Sequence, residues 1–500
     1  MAFKKVLFVL ALLIVGVIAA RGLLSNSETT RIGRQLKPSE VVDQYDAAKL
    51  ETGIKEFCSR CHGYPEPTLF PSHRWSHEIH RALGFFEASG EEWEHPDTTA
   101  IVAWYQLHSK PKPASQQTIP VDEETPFATP IGGPKLKHFA GVSNILVRSD
   151  ERRDILTTDM LSGDVLLTSA DGTRSELVYQ ATNPSRIRVC DLDGSGTPQY
   201  LLSDLGTPTV TDDKVGQVLW LKQSESGNDF TGTVIAKDLG RIADAQSCDF
   251  DGDGDEDVIV AEFGWDRTGS LVLLENQDGS FTQRVIDDRH GTVEMRIVDF
   301  DGDGAQDFVA ILGQEFETVE FFRNTGGLNF EARQLYRAPD PSYGISSLTV
   351  FDNDADGDLD IVFTSGDMYD SMYIQKHHGV YLLTNEGDFK ASKIGHLDGA
   401  MDAAVGDIDN DGDLDVVAAS FIPASSTFSE SDAYPALVLL EQKEAGRYES
   451  RPLRAGGCSI VAIELADLDG DEDLDLISGV LHDDGGKAEP GIEIWSNRTR

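Results

Sequence analysis

Residues 58–62 read CSRCH, and six Asp-rich nonamers lie far behind them. Two thiols two residues apart, followed at once by an imidazole, have the spacing at which Cys58 and Cys61 each form a thioether to a haem vinyl group while His62 reaches the iron. The rival chemistry, a zinc ribbon, would need a second Cys pair, and the other three cysteines (Cys190, Cys248, Cys458) stand far apart. One covalent haem c is therefore expected. No Met occurs between Met1 and Met160, which leaves His73, His77, His80, His95 and His108 for the second axial position. At 100° per residue His80 falls nearest the apolar Trp75/Ile79/Leu83/Phe86 face and is the expected ligand, with a five-coordinate iron as the alternative.

The nonamers are DLDGSGTPQ from Asp191, DFDGDGDED from Asp249, DFDGDGAQD from Asp299, DNDADGDLD from Asp352, DIDNDGDLD from Asp407 and DLDGDEDLD from Asp467. Side chains at positions 1, 3, 5 and 9, with the position-7 carbonyl, converge on one hard cation, and glycine at position 6 permits the bend; calcium prefers such an oxygen-rich cage. The expected ligands are Asp191, Asp193 and Ser195; Asp249, Asp251, Asp253 and Asp257; Asp299, Asp301, Asp303 and Asp307; Asp352, Asp354, Asp356 and Asp360; Asp407, Asp409, Asp411 and Asp415; and Asp467, Asp469, Asp471 and Asp475. The first loop, with Ser195 and Gln199 at ligand positions, should bind weakly, and the last carries Glu472 where glycine eases the backbone. Four to six calcium ions follow, each stapling two strands of its own repeat rather than catalysing. No Glu stands at position 12 and the flanks are strand-like, so an EF-hand is excluded.

The elements that position these loops recur with them, at intervals of 58, 50, 53, 55 and 60 residues. A β-rich run precedes each loop (RIRVC, MRIVD, SLTVF), a second follows (VIVAE, FVAIL, IVFTS), and a third (LVLLEN, VEFFRN, VYLLTN) and fourth complete the unit. Four strands per ~50 residues is the geometry of a propeller blade. Residues 144–180 hold one further strand set with the degenerate turn SDERRD, making seven blades. The last unit has only three strands before Arg500, so a strand from the other end, expected near Thr118–Val121, should complete it and remove an exposed edge.

In front of the propeller, residues 38–110 show three helical patterns, carrying Val42, Tyr45, Leu50, Ile54 and Phe57, then Trp75, Ile79, Ala82, Leu83 and Phe86, then Ile101, Ala103, Trp104 and Leu107. A Pro-rich linker, 111–137, follows, and the propeller spans 138–500. Residues 1–26, with Lys4, Lys5 and an apolar run from Val6 to Ala20, read as a signal peptide or a retained signal anchor. The mature chain is expected in the periplasm or outside the cell, touching a membrane only through that leader. The fold class expected is thus a small all-α cytochrome c-like module followed by an all-β seven-bladed propeller with calcium loops. With 42 basic and 86 acidic residues the formal charge is −44, which argues against nucleic acid as a partner. Five cysteines give no disulfide framework.

The repeats resemble the FG-GAP or VCBS-type calcium-binding repeats of integrin-α-like propellers over residues 138–500. The whole is similar to a family of exported bacterial proteins in which a haem-c module of the form CxxCHxxPxP, here Cys58–Pro67, precedes such a propeller; the segment Lys376–Gly379 also fits. Leu83 stands about where many relatives carry Met. The resemblance implies architecture and compartment but transfers no activity. Two connections between second and third strands are long, 366–379 and 420–435, and neighbouring long loops on one end of a propeller build binding surfaces. Asp367, Lys376, His377 and His378 are the polar candidates there, with Tyr369, Tyr373 and Phe428 for stacking and Asp204, Glu262 and Glu315 bordering. The function expected is a monomeric extracytoplasmic redox protein that docks a redox partner protein or a ligand such as a glycan. A recognition propeller with the haem as sensor, and an open-iron enzyme acting on peroxide, are the alternatives; catalytic residues are unassigned.

Overall fold

A computed structural model of the chain describes residues 36–60, 63–109, 125–136, 138–224, 228–369, 373–423, 434–482 and 490–499. Its 28 strands form seven four-stranded antiparallel sheets. Numbered around the ring, blade one is 142–180, blade two 184–239, blade three 242–287, blade four 292–337, blade five 345–396, blade six 400–455 and blade seven 460–495. Second strands such as Asp257–Glu262, Asp307–Leu312 and Asp415–Ser420 are buried at every residue, because each is sandwiched between neighbouring blades. That explains their unbroken apolar runs, where a one-sided sheet would alternate. Fourth strands such as Ser280–Asp287 lie outermost and are largely exposed.

Blade seven is completed by the strand Ile131–Gly132, which pairs with Ile494 and Glu493. The bridges Phe127–Asn497 and Lys135–Pro490 extend the seam. A strand from the N-terminal side does close the ring, but at 131–132; residues 118–121 lie outside the described residues. The closing strand lies outermost and covers the edge that Ile492–Trp495 would otherwise present to another chain.

Each inner strand carries a bulge, and the side chains beyond it point at the ring axis. The axis is filled with charge. Arg186 and Arg296 each lie 2.6 Å from Glu294, and Arg188 lies 3.1 Å from Asp244 and 3.4 Å from Glu294. Burial opposes ionisation of Asp244, but Arg188 and Arg186 prevail and hold its carboxyl down at about 2. Asp402 and Glu464, less well compensated, are pushed up by burial to about 6 and about 7.

Among the described residues, four helices stand ahead of the ring: α1 (Pro38–Val42), α2 (Ala47–Cys58), α3 (Trp75–Ser89) and α4 (Thr98–His108). The first expected helix is split in two, because the Asp46 side chain accepts from Lys49 N and starts a new helix there. Likewise Asp97, whose side chain accepts from Ala100 N, sets the start of α4. Ile54, Trp75, Ile101 and Tyr105 form the centre of this module's core, with the Trp75 and Tyr105 rings 4.2 Å apart. Trp75 Nε1 donates to Pro67 O and Tyr105 Oη to Pro65 O, so the two prolines behind CSRCH are clamped to α3 and α4.

Candidate metal centres and the face opposite them

The Asp loops join first to second strands at one end of the ring. In five of them the carboxylates at positions 1, 3 and 5 lie within 4.8 Å of one another: Asp249/Asp251/Asp253, Asp299/Asp301/Asp303, Asp352/Asp354/Asp356, Asp407/Asp409/Asp411 and Asp467/Asp469/Asp471. The backbone draws them together. The position-6 N–H donates to the position-1 carboxylate in every loop, from Gly254 to Asp249 at 3.1 Å through Glu472 to Asp467 at 3.2 Å. Position 9 opens the second strand, where Asp257, Asp307, Asp360 and Asp415 each take one N–H from the third strand, and Asp475 one from Asn497 just beyond it, at 2.7–2.9 Å. The second oxygens of Asp307, Asp360, Asp415 and Asp475 accept from the position-2 N–H of their own loops, whereas Asp257 Oδ2 at position 9, Asp299 Oδ1 and Asp352 Oδ1 at position 1 and Asp409 Oδ1 at position 3 are buried with no hydrogen-bond partner. Burial pushes Asp257 and Asp360 up to about 6 and Asp415 to about 7, and neighbouring aspartates add to this. Clustered carboxylates with unsatisfied oxygens are stabilised by a hard divalent cation, and an all-oxygen set of this size suits calcium. These residues fit the ion.

Positions 4 and 6 are both left-handed. Gly252 and Gly254 in blade three have φ of 78° and 100°, but Ala355, Asn410 and Glu472 adopt 59°, 59° and 73° despite their side chains. The second of these constraints was legible from position 6; the first was not expected.

The loop at Asp191, where a weak ion held by Asp191, Asp193 and Ser195 is expected, is arranged differently from the other five. The Gln199 amide, where the other loops have Asp, donates to Asp191 Oδ1, Asp193 Oδ1 and Ser195 Oγ. Lys222 Nζ sits 2.6 Å from Asp193 Oδ2, and Trp220 Nε1 fixes Gln199 Oε1 at 2.7 Å. An amide and an ammonium thus contact the carboxylates that would face an ion in this loop.

In blades three, four and seven a recurrent pin joins the loop to that of the preceding blade. Asn276 Nδ2 donates to Leu192 O of the preceding blade's loop and to Glu256 O of its own; Asn324 repeats this with Phe250 O and Gln306 O, and Asn497 with Ile408 O and Leu474 O. In blade six the Tyr448 hydroxyl makes the link instead, to Asn353 and Leu414 O. The recurring final Asn of LVLLEN, VEFFRN and WSN was its unread signal.

The opposite end carries the second-to-third strand connections. Asp204 and Glu262 do not border a binding surface. Both are buried, Asp204 accepting from Thr182 N, Asn183 N and Gly206 N, and Glu262 from Gly240 N and Ser270 Oγ, so they pin chain crossings between blades. Glu315 pairs with His290 at 2.6 Å. In the long connection of blade five, Lys376 is exposed, and Asp367 accepts from Tyr369 N. His378 is 0% exposed, its Nδ1 facing Gly399 N at 3.3 Å, and burial lowers its pKa well below the usual imidazole value. His377 stacks on Tyr343 at 4.0 Å with Nε2 on Ser342 O, and burial lowers it too. The two histidines shape the loop from within rather than face solvent. The connection 420–435, with Phe428, lies largely outside the described residues.

What does sit on this face is the helical module. Gln375 Nε2 donates to Leu69 O at 3.0 Å, Phe70 meets Tyr373 edge-on at 6.4 Å, and Arg81 lies 3.8 Å from Asp266 and 5.1 Å over Trp265. Gly63, next to CSRCH, is pressed so close to blade five's entry strap that a Cβ there would lie 1.7 Å from Pro339 O. Cys58 ends α2, half-buried. Nearby Phe57 and Phe86 pack edge-on at 5.1 Å and both touch the His95 ring, at 5.1 and 5.7 Å. Arg60 lies 4.9 Å over Trp93. His80 is on the exposed side of α3 with Nδ1 2.5 Å from Ser76 O. Cys61 and His62 lie outside the described residues.

A family model described as FG-GAP-like repeat matches residues 249–310 and 299–363, the two units built around the loops at Asp249, Asp299 and Asp352. The ring carries FG-GAP-like repeats. No curated protein matches the chain. FG-GAP repeats on a seven-bladed ring indicate a binding or recognition role. No described helix is long and apolar enough to cross a membrane.

Proposed function

We propose that the protein is an extracytoplasmic haem-c electron carrier whose calcium-braced propeller serves as the docking platform for the carrier module and its partner. The observation that carries this is the seating of the module on the second-to-third strand face, with Gly63, immediately after CSRCH, pressed on the propeller strap at Pro339. Cys58, Cys61 and His62 would hold the group. The half-buried Cys58 stands beside a half-buried aromatic cluster, Phe57, Phe86 and Trp93, and such rings suit a flat apolar macrocycle. Haem at this place supplies one-electron exchange.

The chain's own residues do the rest. Tyr105 and Trp75 fix the backbone at Pro65 and Pro67, which holds the segment behind CSRCH rigid. The Arg81–Asp266 pair and the Phe70–Tyr373 contact hold the module against blades three and five, so a partner recognised by the propeller meets the module at a fixed distance. A rigid seat of this kind favours fast transfer by holding donor and acceptor together. FG-GAP repeats being common in extracellular proteins supports the compartment, as does the leader-like sequence of residues 1–26, with Lys4, Lys5 and the apolar run from Val6 to Ala20.

The test is a pyridine haemochrome spectrum, with intact mass, of protein matured in a host competent for covalent haem attachment. One haem linked through two thioethers, and lost in Cys58→Ser/Cys61→Ser, is the expected result; colourless wild-type protein would leave the propeller as a recognition module alone.

A further inference from the structure

We propose that Arg323 is a built-in competitor for the cation of blade four, so that this loop takes calcium more weakly than the loops of blades three, five and six. The inference rests on the reading of these loops as calcium sites and names the residue that grades them.

One register position on the third strand decides the matter. Leu221, Leu274, Phe322, Leu383 and Leu440 are equivalent, each paired with the residue after position 9, so the next residues, Lys222, Glu275, Arg323, Thr384 and Glu441, occupy one place in five blades. In blade four Arg323 Nε lies 2.7 Å from Asp301 Oδ2 and an Nη 3.0 Å from Asp303 Oδ2. Those are the position-3 and position-5 ligands. Asp299 Oδ1, from position 1, is buried without a partner, so the loop still has an unsatisfied oxygen that the guanidinium does not serve.

The same place in the other blades behaves differently. Glu275 accepts from Gln277, Thr384 donates to Lys390 O, and Glu441 is paired with Lys443 and Arg451. Among the described residues no ion pair reaches Asp251, Asp253, Asp354, Asp356, Asp409 or Asp411. Blade two goes further, with Lys222 on Asp193 and the Gln199 amide in place of the fourth aspartate. Blade four is half-way along this route, with a complete set of four aspartates and a cationic side chain resting on two of them.

A divalent ion entering blade four must displace the guanidinium or lie beside it. Repulsion between +1 and +2 at about 5 Å in water corresponds to roughly a tenfold loss of affinity, and it shrinks as salt screens it. Arg323 is about half exposed, at 46%, so its replacement costs little packing and the blade should fold without it.

The experiment is equilibrium dialysis with radioactive calcium on the full-length, metal-stripped protein, at 50 mM and 500 mM salt, for wild type, Arg323→Thr, Arg323→Lys and Arg323→Thr/Asp301→Asn. Wild type should show a weaker class of sites. Arg323→Thr, which installs the residue of blade five, should move one site into the tighter class by about tenfold at low salt, with a smaller gain at high salt. Arg323→Lys should keep the weak site, and adding Asp301→Asn to Arg323→Thr should remove the gain. Calcium binding indifferent to Arg323→Thr overturns the inference alone, whereas a wild-type protein that binds no calcium overturns the metal reading and the inference with it.

Discussion

Stripping the ring of calcium should make its stability fall as pH rises from 5 to 7.5. Asp257 and Asp360 are pushed up to about 6 and Asp415 to about 7, in each case first by burial, from an ordinary value of 3.8. A raised folded pKa means that the native, metal-free state keeps a proton the unfolded chain has already lost. The stability from each group is therefore complete below about pH 4 and is lost as pH climbs through 6 to 7. Asp415 is 0% exposed, and moving from 3.8 to about 7 corresponds to about 4 kcal/mol; because its loop opens to water, half of this, about 2 kcal/mol, is the working figure. The three groups together give roughly 4–5 kcal/mol, or about 5–10 °C in melting temperature for a ring of this size. Calcium requires the ionised carboxylates, so saturating metal should raise the melt far more at pH 7.5 than at pH 5. Asp402 and Glu464 on the axis titrate in the same range with or without metal, so the calcium-dependent part of the shift is the readout. Scanning calorimetry on resin-stripped and calcium-loaded protein at the two pH values is the assay. A stripped protein as stable at pH 7.5 as at pH 5, or a calcium increment equal at both, would refute the reasoning.

Gly63→Ala should push the module off its seat, because the added carbon meets Pro339 O; small-angle scattering should report a larger radius of gyration while the propeller melt stays within a degree or two. Asn324→Ala strands the buried carbonyls of Phe250 and Gln306, at a cost of about 2–3 kcal/mol in denaturant unfolding, and an unchanged midpoint would remove the pin from the account. Glu472→Gly should stabilise blade seven by about 1 kcal/mol, since the left-handed φ of 73° suits glycine; a loss of stability in calcium-free buffer would contradict this.

Blade number and the placement of five Asp loops were legible because the repeat writes its chemistry locally: a ligand every second residue, a bend at position 6, and strands on either side. The closing strand was legible as a need, since three strands cannot finish a blade, but not as a position. Ile131–Gly132 is two residues long and has no alternation to read, while Thr118–Val121 looked more strand-like. His377 and His378 looked like a surface pair because sequence spacing does not reveal that a loop folds back on Tyr343 and Gly399. The contact of Lys222 with Asp193 in blade two spans 29 residues, and the pairing that joins them is a property of third-strand register. The charged axis was equally hidden, because Arg186, Asp244 and Glu294 come from three different blades. Asp204 and Glu262 were misread for a similar reason: an acid at a strand end looks like surface until the N–H groups it caps are seen.

The most direct test of the whole account is elemental analysis of one dialysed sample of exported, matured protein, counting iron and calcium against protein. The account predicts one iron and about three to five calcium ions per chain, with the calcium removed by chelator and the iron retained. Protein of full stability that carries neither metal would contradict it.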